Sequence, residues 1–512
     1  MAQTHQHPES SRDDLEKAGE QQSIDENPDG LQYGSSPTSR FHKLTRRLMS
    51  WNVESRGIWP IPFSQRTDPQ FHKAFFLWFA FNTNILSISA GTLGPLTFGL
   101  SFRDSALIIF GFNVIGCLLP AYFSTFGPKL GLRQMCQARY SFGFYGAILP
   151  ATLNLATMMG YLILTCILAG QTLSSASGNF GAQSELMSWD VGIVVIAVIS
   201  LLVSFFGYRV MHYYERFAWI PVTIVFLIAI GLNARHMTPS TQIPAATHTQ
   251  VLSFGASIAG YVISFAPLSA DFSTYMRGDV SSFKVFSYTY VGLFVPACLV
   301  QILGAAFAAA IPNNPTWAME EGDLAGLLHA VLLPCGQHFT RFLLVILAFS
   351  VAGNIAPTMY SFCLSFQVMI PSDITARIPR YVFSILATAI LIPLAIVGST
   401  KFYETLSNFL GLVGYWSSVF GAIVLTEHLV FRRGNFANYN ISHWNQPGKL
   451  PLGLAAIVTS LLAAGVVVVS MEEVWFTGPL AKKSGDVAFE LGFASAVIFY
   501  LPLRTLERRW RR

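Results

Sequence analysis

Apolar residues come in twelve blocks separated by short polar segments: 74–100, 105–127, 144–172, 190–207, 216–234, 251–271, 285–311, 341–369, 381–398, 403–428, 450–471 and 487–503. Each is close to the ~20 residues an α-helix needs to cross a bilayer. The pattern predicts an all-α polytopic membrane protein with 12 transmembrane helices, numbered here as spans one to twelve. Two blocks carry interruptions. Span six contains SFAPLSAD from Ser264 to Asp271, where Pro267 removes a backbone donor and disfavours helix at Ala266. Span one contains SAGTLGP, so breaks are expected at Gly91, Gly94 and Pro95 as well as at Pro267. In hydrocarbon every backbone polar group needs a partner, so most membrane helices are continuous. Gly and Pro can also merely kink a packed helix. Interruptions at matching places in two halves of a chain point instead to a solute site near the bilayer midplane.

The breaks parse the chain as five spans, five spans and two. The first repeat is 74–234, the second 251–428, and 450–503 holds the last two helices. An odd number of spans per repeat inverts the second copy, which gives a 5+5 inverted-repeat architecture. Residue identity between the halves is not evident, so this rests on hydropathy and break position. Loop charges agree with the span count: with both termini cytoplasmic, 26 Lys/Arg fall on the inner side and 6 on the outer. The 312–340 segment reads as a long outer loop, acidic near Glu320, Glu321 and Asp323. Residues 1–55 are polar and read as a disordered cytoplasmic tail without the apolar region of a signal peptide. The transporter domain is 56–503, and 504–512 reads as a basic cytoplasmic tail.

Only 12% of residues are charged, against about 25% in soluble proteins. The net charge of +5 follows from the basic inner loops and is no nucleic-acid signal. Six scattered cysteines form no C-x-x-C pair, so neither disulfides nor a metal is expected. Paired acids, a nucleophile with its base, and clustered histidines are missing from the spans, so no catalytic residues and no cofactor are expected. Near-absence of charge at the span centres argues against a charged solute held by a counter-ion. It favours a neutral polar solute held by amides, hydroxyls and aromatic faces.

Such groups occur at depth: Asn82, Thr83, Asn84, Ser87 and Ser89 in span one; Asn154, Tyr161 and Thr165 in span three; Ser264 and Phe265 at the span-six break; Ser350, Asn354, Thr358 and Ser361 in span eight. Tyr161 with Thr165, and Asn354 with Thr358, are spaced i, i+4 and share a helix face. An Asn amide offers a donor and an acceptor to a planar heterocycle, and an aromatic ring covers its flat face. The competing role is hydrogen bonding between helices. Asp271, Glu215, Glu404 and Glu427 at span ends are candidates for proton coupling, set against solvated ends or structural ion pairs.

The segments RGIWPIPFSQRTD, NTNILSISAGTLGP, FFGYRVMHYYERFAWIP, FAPLSADFSTYMR, NIAPTMYSF, FLGLVGYWSSVFGAIVLTEHLVFR and WNQPGKLPLG together resemble the fungal purine-cytosine permeases of the nucleobase-cation-symport-1 family, in the same order from about Arg56 to Leu503. The resemblance implies a LeuT-like 5+5 fold with two further C-terminal helices. It also implies alternating access and uptake of purine bases or cytosine by proton symport, with H+ as the coupling ion, in a plasma membrane. Its substrate positions fall on Ser87, Tyr161, Thr165, Phe265, Asn354 and Thr358; the neighbours Asn84 and Ala266 complete the expected binding set. Family members tend to carry Trp at the positions of Tyr161 and Phe265, and Asn at those of Thr165 and Thr358. These departures bear on the substrate: a vitamin-like pyridine or pyrimidine, or a specialised metabolite, is the same-fold alternative. A receptor that binds without transporting is another.

Overall fold

Helices Ile85–Leu96 and Ser282–Ala310 lie so close that glycines are required on both sides of the contact. A Cβ on Gly91 would sit 1.8 Å from the Gln301 carbonyl oxygen, and one on Gly304 would sit 2.1 Å from that of Ile88. Without a hydrophobic drive between helices in lipid, such small-residue seams let backbones approach and gain dispersion contact. Spans six and ten meet in the same way at Gly260 and Gly414. The computed structural model describes residues 57–178, 187–204, 208–237, 244–318, 324–370, 378 and 380–511. Residues 1–55, expected as a tail, lie outside them.

Among the described residues, nine helices and one bent pair are long and apolar enough to cross a membrane. They are all-α and follow the predicted order. Trp189–Ser204 and Leu454–Ser470, in the places of spans four and eleven, are shorter apolar helices. The outward faces carry exposed Leu107, Ile115, Leu227, Leu299, Ile385 and Leu461, a distribution suited to lipid contact. Polar groups turn inward: Asn113 Nδ2 donates to Gln301 Oε1 at 2.7 Å, joining spans two and seven.

The break of span six lies where Pro267 predicts it. Helix His248–Ile263 stops, and Ala266–Phe272 continues as a 3-10 stretch with proline in its first turn. The break of span one does not lie at Gly91, Gly94 or Pro95. Helix His72–Asn82 ends at Thr83, Ile85–Leu96 begins at Asn84, and the two are bent by 56°. Gly91, Gly94 and Pro95 sit inside the second helix, where Gly91 serves the seam with span seven and Gly94 abuts Ser105 Oγ of span two.

Two further expectations need correction. The segment read as a loop over 312–340 holds a helix, Leu324–Leu332, in which all nine residues are buried. Its Leu-Ala-Val composition buries well, and the neighbouring acids had disguised it. The basic tail expected from residue 504 is instead the end of helix Ala488–Trp510. Arg504 there is buried because it pairs with Glu427 and Glu507.

At the end of the bundle where span six begins, a two-stranded hairpin, Glu472–Glu473 with Phe476–Thr477, closes over the helix ends. Asp486 ties it down: its Oδ2 accepts from Tyr415 Oη and from Glu472 N, and its own N–H donates to Ser253 Oγ at 3.1 Å. Glu473 is buried beside them. Burial pushes the Glu473 carboxyl up to about 8 and that of Asp486 up to about 6.

Candidate functional site: the junction of the two broken spans

Asn84 makes the span-one break. Its backbone is extended (φ −153°, ψ 174°) and its Oδ1 accepts from Leu86 N at 2.8 Å and Ser87 N at 3.1 Å, capping the second helix. Its Nδ2 donates to Phe81 O at 2.6 Å, capturing a carbonyl freed from the first helix. The amide oxygen and one of the two Nδ2 hydrogens are thereby committed to the backbone. Asn84, expected among the solute-binding residues, also positions the break by these bonds.

Around that break the structure brings spans one, three and six together. Ser87 Oγ donates to Asn82 O at 2.6 Å and lies 2.7 Å from Tyr261 Oη. Tyr161 Oη lies 2.7 Å from Ser264 Oγ, which in turn donates to Tyr261 O at 3.0 Å. Phe265 stands at the centre of an aromatic group, its ring centroid 5.0 Å from Phe81, 5.5 Å from Trp78, 5.8 Å from Tyr261 and 6.1 Å from Tyr161. The Tyr161 and Phe265 planes are inclined by only 30°. Ala266, fully buried, follows as the first residue of the 3-10 stretch.

Span eight supplies the fourth side. Asn354 Nδ2 donates to Phe81 O at 3.3 Å, reaching the carbonyl that Asn84 also holds. Thr358, one turn on, donates to Asn354 O at 2.7 Å. Thr165 likewise donates back to Tyr161 O. Ser87, Tyr161, Thr165, Phe265, Asn354 and Thr358 are each at most 2% exposed, so the junction is closed to solvent in this structure. Asn82 Oδ1 and Ser350 Oγ are buried without a hydrogen-bond partner among the described residues.

The sequence reading missed Tyr261, Trp78 and Phe81. Tyr261 and Phe265 are spaced i, i+4 immediately before a proline, and Trp78, Phe81 and Asn82 are spaced i, i+3, i+4, so the face pattern could have found them.

The candidate acids separate by surroundings. Asp271 is buried in the 3-10 stretch: Oδ1 accepts from Gln134 N at 2.7 Å and Oδ2 from Ser361 Oγ at 3.0 Å. Arg133 donates to Asp271 O at 2.7 Å and lies over the rings of Tyr275 and Tyr360. This strap joins the segment after span two to spans six and eight. Glu427 is held by Arg504 at 2.9 Å and Arg432 at 3.3 Å, a structural ion pair. Glu404 lies at the surface, 3.9 Å from Lys401.

Residues 60–492 match a family profile described as permease for cytosine/purines, uracil, thiamine, allantoin. The chain is 34% identical over 499 residues, 95% of its length and 96% of the relative's, to the purine-cytosine permease fcyB of Emericella nidulans. It is 29% identical to the vitamin B6 transporter TPN1 of Saccharomyces cerevisiae, over 91% of this chain and 89% of that one. Among solved structures it is similar to Mhp1, a nucleobase-cation-symport-1 family transporter in a closed conformation with bromovinylhydantoin bound. The TM-score is 0.68 at 15% identity, covering 89% of this chain and 95% of that one.

Proposed function

Since the chain belongs to the family of permeases for cytosine/purines, uracil, thiamine and allantoin, we propose that it imports a small neutral heterocycle, a purine base or cytosine, by proton symport across the plasma membrane with both termini cytoplasmic. It is a transporter, not an enzyme. The observation that carries the reading is the junction itself. Two broken spans meet there at buried hydroxyls, asparagine amides and a group of aromatic faces. Tyr161 and Phe265 would cover the faces of the ring, Ser87 and Asn354 would bond its edge, and Thr165 and Thr358 would set selectivity. The proposed cycle rocks one bundle of helices against the other around this point. Asp271 is the candidate proton carrier, being the buried carboxyl closest in sequence to the span-six break.

A second reading has a specific observation behind it. With the Asn84 oxygen and one of its amide hydrogens held by backbone, Asn354 is the one amide assigned to the ring's edge, and hydroxyls supply the rest. A hydroxyl ring suits a hydroxylated pyridine, the chemistry that the vitamin B6 relative is named for. Uptake of radiolabelled cytosine, adenine and hypoxanthine in cells lacking their own permeases, with pyridoxine as competitor and with or without a protonophore, tests both. Saturable base uptake abolished by the protonophore supports the first reading. Pyridoxine uptake in place of base uptake supports the second. Absence of any uptake by a chain present at the surface overturns both.

A further inference from the structure

Spans ten, eleven and twelve meet around a basic pocket that shares no lining residue with the proposed solute site. A cavity of about 400 Å³ is lined by Arg432, Lys449, Arg504, Glu507, Arg508 and Arg511. It lies where span ten ends, span eleven begins and span twelve ends, on the side where the loops concentrate Lys and Arg.

The acids at this place are already satisfied from within. Glu427 accepts from Arg504 Nε at 2.9 Å, Arg504 Nη2 at 3.1 Å and Tyr500 Oη at 3.0 Å, and lies 3.3 Å from Arg432 Nε. Glu507 accepts from Gly453 N at 2.7 Å and Arg504 Nη1 at 3.1 Å. Two carboxylates thus face five cations. Lys449, Arg508 and Arg511 are exposed, and among the described residues none of the three forms an ion pair. Several of these groups are held in place. Arg432 lies 4.4 Å from the Tyr439 ring centroid and 5.3 Å from that of Tyr140, and donates to Asn438 O at 2.6 Å. Arg508 lies 5.6 Å from the Phe431 ring centroid, and Arg511 donates to Gly448 O and Leu450 O at the rim.

A pocket with surplus, pre-positioned guanidinium groups at a membrane edge is matched to one ligand chemistry. Guanidinium forks bind phosphate oxygens in pairs, and a Lys adds a point charge. Basic pockets between membrane helices on the inner side take anionic headgroups. We propose that this pocket binds a phosphate group, supplied either by an anionic phospholipid of the surrounding leaflet or by a soluble phosphate, and clamps the last two helices to span ten.

The test uses the full chain purified in a neutral detergent. Binding of dioctanoyl phosphatidylinositol 4-phosphate is measured against dioctanoyl phosphatidylcholine and against sodium phosphate, by ligand-induced shift in thermal unfolding. The variants are Lys449→Gln/Arg508→Gln and, as a control on a distant loop, Arg103→Gln. The double variant is expected to weaken binding of the anionic lipid by about tenfold or more, each near-surface cation contributing severalfold. Arg103→Gln is expected to bind as the original chain does. Stabilisation by sodium phosphate as well assigns the site to phosphate from either source; stabilisation by the anionic lipid alone assigns it to the headgroup. Equal affinity in the original chain and the double variant, or equal binding of phosphatidylcholine, overturns the proposal. Unchanged unfolding of the double variant without ligand separates a lost site from a lost fold.

Discussion

Two asparagines 270 residues apart hold the same carbonyl, that of Phe81, and they do so for different ends. Asn84 spends its oxygen and one amide hydrogen on the backbone. Replacing it by Ala removes an N-cap worth about 1–2 kcal/mol and leaves the Phe81 carbonyl to Asn354 alone. Asn84→Ala is expected to lower thermal stability and surface level, read by thermal unfolding and by surface fluorescence of a tagged chain. Asn354 retains an acceptor, since Oδ1 receives only a 3.4 Å contact from Thr358. Asn354→Ala is therefore expected to weaken solute affinity tenfold or more at unchanged surface level, the loss of one buried reading group being worth ~1.4 kcal/mol or more. A normal KM for uptake in that variant would misplace the pocket.

At the scale of elements, the two breaks show what a sequence reveals about itself. Pro267 advertises its break because proline cannot donate and constrains the residue before it, whatever surrounds it. The span-one break is built from Asn84 capping and an extended backbone, and asparagine does both only when the tertiary setting asks for it. Gly91 and Gly94 carried the stronger local signal but answer to packing. The seam with span seven supplies the next prediction. Gly91→Val places side-chain carbon against the Gln301 carbonyl, so spans one and seven must part. Overpacking of this kind costs about 1–3 kcal/mol. The variant is expected to be retained inside the cell, and loss of surface fluorescence from a tagged chain would report it. Membrane spans were legible because hydropathy is a sum over many residues. The helix Leu324–Leu332 was not, because it is too short to span and its apolar run stood beside acids.

For the whole molecule, the hairpin over the ends of spans six, ten and twelve makes stability depend on pH. Glu473 in the folded chain holds its proton up to about 8, far above the ordinary carboxylate range. Between those two values the folded state binds a proton that the unfolded chain has released, so stability falls as pH rises through the window. Thermal unfolding in detergent from pH ~5 to ~8.5 is expected to show a falling midpoint, and Glu473→Gln is expected to flatten that fall. A profile identical in the variant would remove Glu473 from the account. Tyr161, Phe265, Asn354 and Thr358 were named from the sequence because polar and aromatic side chains are conspicuous in apolar spans, and the fold buries all four. Tyr261 was not singled out, because a tyrosine in an apolar helix gains its meaning from Ser87, which lies 174 residues away.

The closed junction has a kinetic corollary. Its hydroxyls satisfy one another: Ser87 with Tyr261, Tyr161 with Ser264, Thr358 with the Asn354 backbone. An unloaded carrier can therefore shut with these hydroxyls paired, which lowers the penalty of returning empty. Net influx, rather than obligatory one-for-one exchange, is the mode such a centre favours. Cells preloaded with unlabelled solute are expected to take up labelled solute no faster than cells that start empty.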